Sequence, residues 1–352
     1  MANLFDYLTW RGDLTLRQAP FNAVDSLILC RLSYLPLDGI VPGEGTAVPV
    51  KEAACQFRRE GRLGRLKEDL TLFAALEKSS RFSGMLLSRY VNVLDQEVQK
   101  QFSAVTVTLG DGSTYIAYRG TDSTLVGWKE DFNMSFMTTV PSQLDAVAYL
   151  EAAAAVSPGA LRTGGHSKGG NLAAYAASFC KKEIQDRIVE VYNNDGPGFE
   201  SQVLASPGYQ AVRDRIHTFI PQSSVFGRMM EHEEAYTVVH SFQVGLMQHD
   251  MYSWEVLGSD FVRLETVTNT SRFVDYTLKE WVADMTPTQR GQLIDTLYEI
   301  CSSTDAATMR ELAAGLFKNA GGILKSLKSL DEDTRRLITQ AQIGRASCRE
   351  RV

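Results

Sequence analysis

Residues 163–178 read TGGHSKGGNLAAYAAS, and no other stretch constrains the fold of this chain as tightly. Gly165-His166-Ser167-Lys168-Gly169 sets one serine between two glycines in the pattern G-x-S-x-G. Where such a segment ends a strand and opens a helix, the serine backbone is strained into a sharp turn, and side chains two residues to either side have no room. The free N–H groups of the helix then face the point where an oxyanion would form. The pentapeptide alone also fits an ordinary Gly-rich turn, so its context decides. Residues 160–165 form a short strand candidate. The helix expected over about 168–182 carries small residues at Gly170, Ala173, Ala174 and Ala177, which allow close packing on a sheet.

The surrounding periodicities agree with a layered architecture. Residues 103–109 and 114–119 alternate on either side of Gly110-Asp111-Gly112-Ser113, a β-hairpin signal. Residues 187–195 (RIVEVYNND), 215–221 (RIHTFIP) and 236–242 (YTVVHSF) are further strand candidates, and 142–156 (SQLDAVAYLEAAAAV) is a helix candidate. Strands alternating with helices predict an α/β fold with a central, mostly parallel sheet flanked by helices. Ahead of them, 22–36 and 51–80 read as N-terminal helices, the second weakened at Gly61 and Gly64. From about residue 267 the pattern is helical, with a capping box and a proline at the first helical position in Thr286-Pro287-Thr288-Gln289.

The expected organisation is one domain over 1–266, including the N-terminal helical segment, and a C-terminal helical extension over 267–342 packed on it. The last ten residues, IGRASCRERV (343–352), match the in-frame translation of a common sequencing-adapter oligonucleotide and read as a non-native tail. Without them the basic residues fall from 36 to 33 and the acidic ones from 42 to 41, taking the net charge from −6 to −8.

Composition excludes several function classes. With 352 residues, 44% hydrophobic and 22% charged, the chain is long enough to bury a sizeable core and has the balance of a soluble globular protein. Its negative net charge and lack of a basic tract argue against nucleic acid as a partner. The start, MANLFDYLTWRGD, lacks a basic region followed by an apolar stretch, and no run approaches the ~18 apolar residues of a transmembrane segment. Cysteines 30, 55, 180, 301 and 348 form no CxxC pair. The expectation is a reduced, cytoplasmic protein. With no HExxH, no clustered His and Cys, no P-loop and no dinucleotide fingerprint, neither a metal nor a cofactor is expected.

A serine nucleophile needs a base, and the chain has five histidines. His166 lies within the turn itself, where its ring would have to curl back to reach Ser167. His217 falls inside a strand candidate as a core or surface residue. His232 stands among acids in MMEHEEAY and reads as solvated. His240, in YTVVHSF, is a reserve candidate. His249, in GLMQHDMYSW, follows the last strand candidate in an irregular stretch and is the favoured base. The acid is expected between serine and base in chain order. Asp195, in NNDGPGF, ends the next strand after the serine turn, and neighbouring strands lie about 4.8 Å apart. Its bland alternative is an Asp that opens an Asp-Gly-Pro turn. Phe226, Met229, Met230, Met247 and Met251 lie around the segment between acid and base, and read either as core or as the lining of an acyl pocket or lid.

YRGTDSTLVGWKEDF (118–132), taken with GGHSKGGN, resembles the class 3 lipases among the α/β hydrolases. There a strand ending F-R-G-[ST] is followed by a Trp…Asp pair and later by G-H-S-x-G-G. Most of residues 3–342 is similar to a bacterial family of Mbeg-like hydrolases related to those lipases, through YRGTD…GWKEDFNMSF, GHSKGGNLA, NNDGPGF, IPQSSVFG and QHDMYSW. The resemblance implies an α/β-hydrolase fold in which Thr121 and the backbone N–H of Lys168 form the oxyanion hole, and Trp128 and Asp131 hold the oxyanion loop. Together with the residues above, the expectation is a lipase- or esterase-like serine hydrolase for a small-molecule or lipid acyl ester, working through Ser167, His249 and Asp195, with thioesterase or acyltransferase chemistry as alternatives.

Two positions depart from the lipase pattern. Class 3 lipases carry their acid one strand later, in D-x-V, where this chain has IPQSSVFG without a carboxylate. Either Asp195 takes the role one strand earlier or the triad is incomplete, and the second case opens a competing expectation: a catalytically weak hydrolase fold used as an interaction or regulatory module. Lys168 stands where the lipases carry an apolar residue, and is expected either to be solvated or to attract an anionic substrate group.

Overall fold

A computed structural model describes residues 1–97, 100–121, 127, 129–130, 133–134 and 139–268. Among them, a nine-stranded sheet runs in the order β1 (Val48–Pro49), β2 (Leu86–Asp95), β3 (Lys100–Thr108), β4 (Thr114–Tyr118), β5 (Leu161–His166), β6 (Ile188–Asn194), β7 (Ile216–Pro221), β8 (Tyr236–Val239) and β9 (Arg263–Leu264). The expected hairpin is β3–β4, with Thr108 paired to Thr114 across the turn. From β4 to β8 neighbouring strands are parallel and follow in chain order. The other pairings, β1 through β4 and β8 with β9, are antiparallel, so the sheet is more mixed than the sequence suggests. Its parallel half is the half that carries the serine turn.

Alternation along each strand assigns side chains to two cores. On β4, Tyr115 and Ala117 face a core shared with α1 (Leu4–Arg11), α2 (Ala23–Leu32), α3 (Val50–Arg59) and α4 (Lys67–Lys78). Ile116 and Tyr118 face a second core with α5 (Pro141–Val156), α6 (Lys168–Phe179) and α7 (Pro207–Val212). The helix expected over 22–36 is α2, opened by a capping box in which the Asn22 and Asp25 side chains accept each other's backbone N–H groups. The segment expected over 51–80 is broken into α3 and α4 by a turn with Gly61 at φ +64°. Buried ion pairs Arg81–Asp25 (2.5 Å) and Arg31–Asp69 (2.6 Å) tie these N-terminal pieces together.

β2 carries no clean sequence signal, because a bulge interrupts it: Arg89 takes φ +55° and the register shifts between Ser88 and Val91. Among the described residues, no helix is long and apolar enough to cross a membrane. Cys30, Cys55 and Cys180 are free thiols. Apart from Val267 and Thr268, the helical extension expected over 267–342 lies outside the described residues, as do its capping box at 286–289 and the tail at 343–352.

Candidate active site

β5 ends at His166 and α6 begins at Lys168, leaving Ser167 alone at the turn with φ +59° and ψ −134°. Such a backbone costs a serine ~1–3 kcal/mol, and persists only where the surroundings over-determine it. Here the Ser167 N–H donates to the Asn194 carbonyl at 2.9 Å, and the Gly170 N–H donates to the Ser167 carbonyl at 2.9 Å. The glycines answer to space. A Cβ on Gly165 would stand 2.1 Å from the Gly169 carbonyl, and one on Gly169 would stand 2.3 Å from the Tyr118 carbonyl oxygen. Gly170, Ala173, Ala174 and Ala177 are buried, as a helix lying close against the sheet requires. Ser167 itself is only half-buried, at the N-terminus of a 12-residue helix.

Strand register sets the next residue. His166 pairs with Asn194, so Asp195 leaves β6 beside the residue that leaves β5. Asp195 is fully buried at φ +53°. Its Oδ2 accepts from His249 Nδ1 at 2.6 Å, and its Oδ1 accepts from the Gly227 N–H at 3.1 Å and from the Ser224 hydroxyl. Asp195 therefore does more than open a turn. Ser224 and Gly227 both belong to IPQSSVFG, the stretch in which class 3 lipases carry their acid. In this chain that loop contributes hydrogen-bond donors to a carboxylate placed one strand earlier.

The His249 ring packs against two others, His166 and Phe226, each at a centroid distance of 4.3 Å and an angle of 37°. Among the described residues its ring hydrogen bond goes to Asp195, with none to Ser167. Gly120 packs on the serine, since a Cβ there would stand 3.1 Å from Ser167 Cβ. Thr121 follows it directly, and its carbonyl accepts from Arg65 at 3.1 Å. Trp128 and Asp131 lie outside the described residues. Among the described residues, no group of three or more His, Cys, Asp or Glu side chains is placed to hold a metal ion.

A family profile described as Mbeg1-like matches residues 76–299, well over half of the chain. The chain belongs to the Mbeg1-like family. No curated protein matches it in sequence. Solved structures similar to it include a mutant form of MDLA from Penicillium cyclopium, at 13% identity, covering 70% of this chain and 87% of that one with a TM-score of 0.44. The Rhizomucor miehei lipase–propeptide complex gives 14% identity, 67% and 68% coverage and a TM-score of 0.40. A triacylglycerol lipase from Penicillium expansum gives 12%, 51% and 84%, and 0.33.

In this Mbeg1-like chain two sequence expectations need correction. Lys168 is neither solvated nor turned toward a substrate, being 1% exposed. Its Nζ donates to the Gln101 carbonyl at 2.9 Å, to Gln101 Oε1 at 3.1 Å and to Glu130 Oε2 at 2.8 Å. The cause is the run of small residues after it, which brings α6 so near the sheet that its first side chain enters the layer between them. His232 is not solvated either: it is bonded at 2.8 Å to buried Glu234. The His166 ring, as expected, turns away from Ser167. It is buried, with Nε2 at 2.8 Å from the His249 carbonyl and Nδ1 at 3.1 Å from the Tyr34 hydroxyl. Burial first, then the neighbouring His249, pushes its pKa well below the ordinary histidine range, so the ring is neutral.

The remaining histidines are engaged elsewhere. His240 bonds Glu255 at 2.5 Å, and its backbone N–H donates to Val262. His217 is exposed, 4.0 Å from Glu190. Of the apolar residues around the segment from Asp195 to His249, Met251 is core, Met247 is 61% exposed and Phe226 packs against the His249 ring. Nothing in the sequence near His166 marked its contacts, because Tyr34 and His249 are 132 and 83 residues away.

Proposed function

We propose that this protein is a serine hydrolase that cleaves carboxylic esters through an acyl-enzyme. The observation that carries the reading is the 2.6 Å His249–Asp195 hydrogen bond, formed where β5 and β6 also deliver Ser167. Asp195 holds the His249 ring with the proton on Nδ1, which leaves Nε2 as the basic nitrogen. His249 takes the proton of Ser167 as Oγ attacks the acyl carbon, and returns it to the leaving alkoxide. Water then repeats the sequence and releases the acid. The negative oxygen of each tetrahedral intermediate is received by the Lys168 backbone N–H and by Thr121, with the N-terminal end of the α6 dipole behind them.

Lipid and small-molecule acyl esters both suit this chemistry, and so do thioesters and acyl transfer. The competing reading, an inactive fold used as an interaction module, drew on the missing lipase-type carboxylate. A carboxylate bonded to a histidine beside the serine turn favours catalysis. A fluorophosphonate probe tests it: the folded protein should label at Ser167, and Ser167→Ala should lose the label. His249→Ala should cut turnover of a 4-nitrophenyl ester on the order of 10⁴-fold, whereas His240→Ala should leave it within a few-fold. A well-folded protein that does not label would return the interaction module to favour.

A further inference from the structure

His249 sits at the end of a short 3-10 turn, Gly245–His249, in which Leu246 and Met247, like the preceding Val244, are 61–78% exposed. The turn is tied down through Gln248, which accepts from Ser223 N–H at 2.7 Å, donates to the Gln243 carbonyl at 2.8 Å and accepts from Trp254 Nε1 at 2.9 Å. Those ties fix the turn to its own loop and to the loop after β7. None of them relates it to the strand that carries the serine. One bond does: His166, the residue before Ser167, donates from Nε2 to the backbone carbonyl of His249 at 2.8 Å.

Chemistry fixes the roles in that bond. A carbonyl only accepts, so Nε2 carries the hydrogen. The ring is neutral, because it is buried and has His249, Arg31 and Arg65 nearby. Nδ1 is then a lone pair, and the Tyr34 hydroxyl at 3.1 Å is its donor. The one hydrogen of that hydroxyl is shared between the ring nitrogen and the His166 carbonyl at 3.3 Å, both of which accept, so Tyr34 holds the ring and the strand end together as a bifurcated donor. The His249 ring also packs against the tilted rings of His166 and Phe226, each at a centroid distance of 4.3 Å.

We propose that His166 is a positioning residue that docks the His249 turn onto the nucleophile strand through its neutral Nε2–H, with Tyr34 selecting that tautomer. Ser167 and His249, 82 residues apart in the chain, are thereby linked by one side-chain bond from the residue adjacent to the serine. The inference rests on the hydrolase reading for its catalytic consequence, but the docking itself is a property of the folded protein.

Two measurements test it. In ¹⁵N-histidine spectra of the full chain, His166 should be the Nε2–H tautomer and stay neutral between about pH 5.5 and pH 9, in wild type and in Ser167→Ala alike. The Nδ1 proton of His249 that Asp195 holds should weaken or vanish in His166→Leu. For kinetics, His166→Leu should lower kcat on a 4-nitrophenyl ester on the order of 10²-fold with KM within about two-fold, as expected when a reacting group is displaced by about 1 Å. His166→Gln, whose amide N–H reaches the same carbonyl, should recover at least about ten-fold of that loss at a matched melting temperature. A protonated or Nδ1–H His166 at pH 7, a Leu variant with wild-type kcat, or equal losses in Leu and Gln would each overturn the proposal. A wild-type protein that shows the tautomer but neither labels nor turns over would overturn the hydrolase reading and leave the docking standing.

Discussion

Replacing Lys168 by methionine tests how the serine turn is held from behind. The side chain is 1% exposed and its partner Glu130 is fully buried, with 2.8 Å between Nζ and Oε2. Removing one member of a buried ion pair strands the other without water, at a cost of ~3–5 kcal/mol. Glu130 would not be wholly abandoned, since it also accepts from the Gln101 N–H at 3.0 Å and the Ser142 N–H at 3.1 Å. The lower end of the range therefore applies, about 3 kcal/mol. Set against a typical total of ~5–15 kcal/mol, that is a large share of stability. For a domain of this size it corresponds to a melting temperature lower by on the order of 10 °C.

A urea titration of wild type, Lys168→Met, Glu130→Gln and the double variant measures the term directly. Methionine matches the apolar residue of the lipases, and glutamine keeps an acceptor for one of the two N–H groups, so the double variant should be less destabilised than the sum of the singles. The coupling expected for a pair in such contact is ~1–3 kcal/mol. A Lys168→Met protein within about 0.5 kcal/mol of wild type, with no coupling, would refute the reasoning, since surface substitutions already give changes of that size.

Two other outcomes follow from the same structure. Asp195→Asn should fold and still label slowly, but should lose turnover on the order of 10⁴-fold, because the amide favours the wrong tautomer of His249; a loss below ten-fold would remove Asp195 from the acid role. Glu234 is a pH probe: burial alone would raise its pKa, but the hydrogen bonds from His232, Thr218 and Tyr209 bring it to about 2 from an ordinary 4.5. A depressed carboxylate contributes stability above its unfolded pKa and loses it as pH falls through the folded one. Glu234→Gln should therefore cost up to about 3 kcal/mol at pH 7, with the difference from wild type closing between about pH 4.5 and pH 2 in urea titrations.

What the sequence reveals divides along physical lines. Short-range rules mark the elbow, because G-x-S-x-G must sit where a Cβ two residues away would collide, as Gly165 and Gly169 do. They also mark the β3–β4 hairpin and the helices that follow β4 and β5, whose periodicities are uninterrupted. Irregular backbone hides β2, where the bulge at Arg89 destroys the alternation that would announce a strand. Long-range pairing hides the rest. Lys168 reads as a solvated lysine until Glu130, 38 residues earlier, is seen to be buried against it. His166 reads as a turn residue until Tyr34 and His249 close on its two nitrogens. Asp195 and His249 were legible as candidates by chain order, but their bond was not.

The placement of the acid has a physical rationale under the hydrolase reading. What the chemistry requires is a carboxylate oxygen at His249 Nδ1, and a loop after either β6 or β7 reaches that point, because both strands end on the same edge of a parallel sheet. A carboxylate held there must be buried, and so must have donors for its other oxygen. With the acid on β7, the loop after that strand would have to present it and also solvate it. With the acid on β6, the tasks separate: Asp195 turns inward through a left-handed backbone at φ +53°, anchored by its N–H on the Phe219 carbonyl at 2.8 Å. IPQSSVFG is then free to place the Ser224 hydroxyl and the Gly227 N–H on Oδ1. Gly227 is obligatory in that arrangement, since a Cβ there would stand 2.4 Å from Asp195 Oδ1. The glycine and serine that make the stretch look empty of chemistry are what allow it to hold the charge.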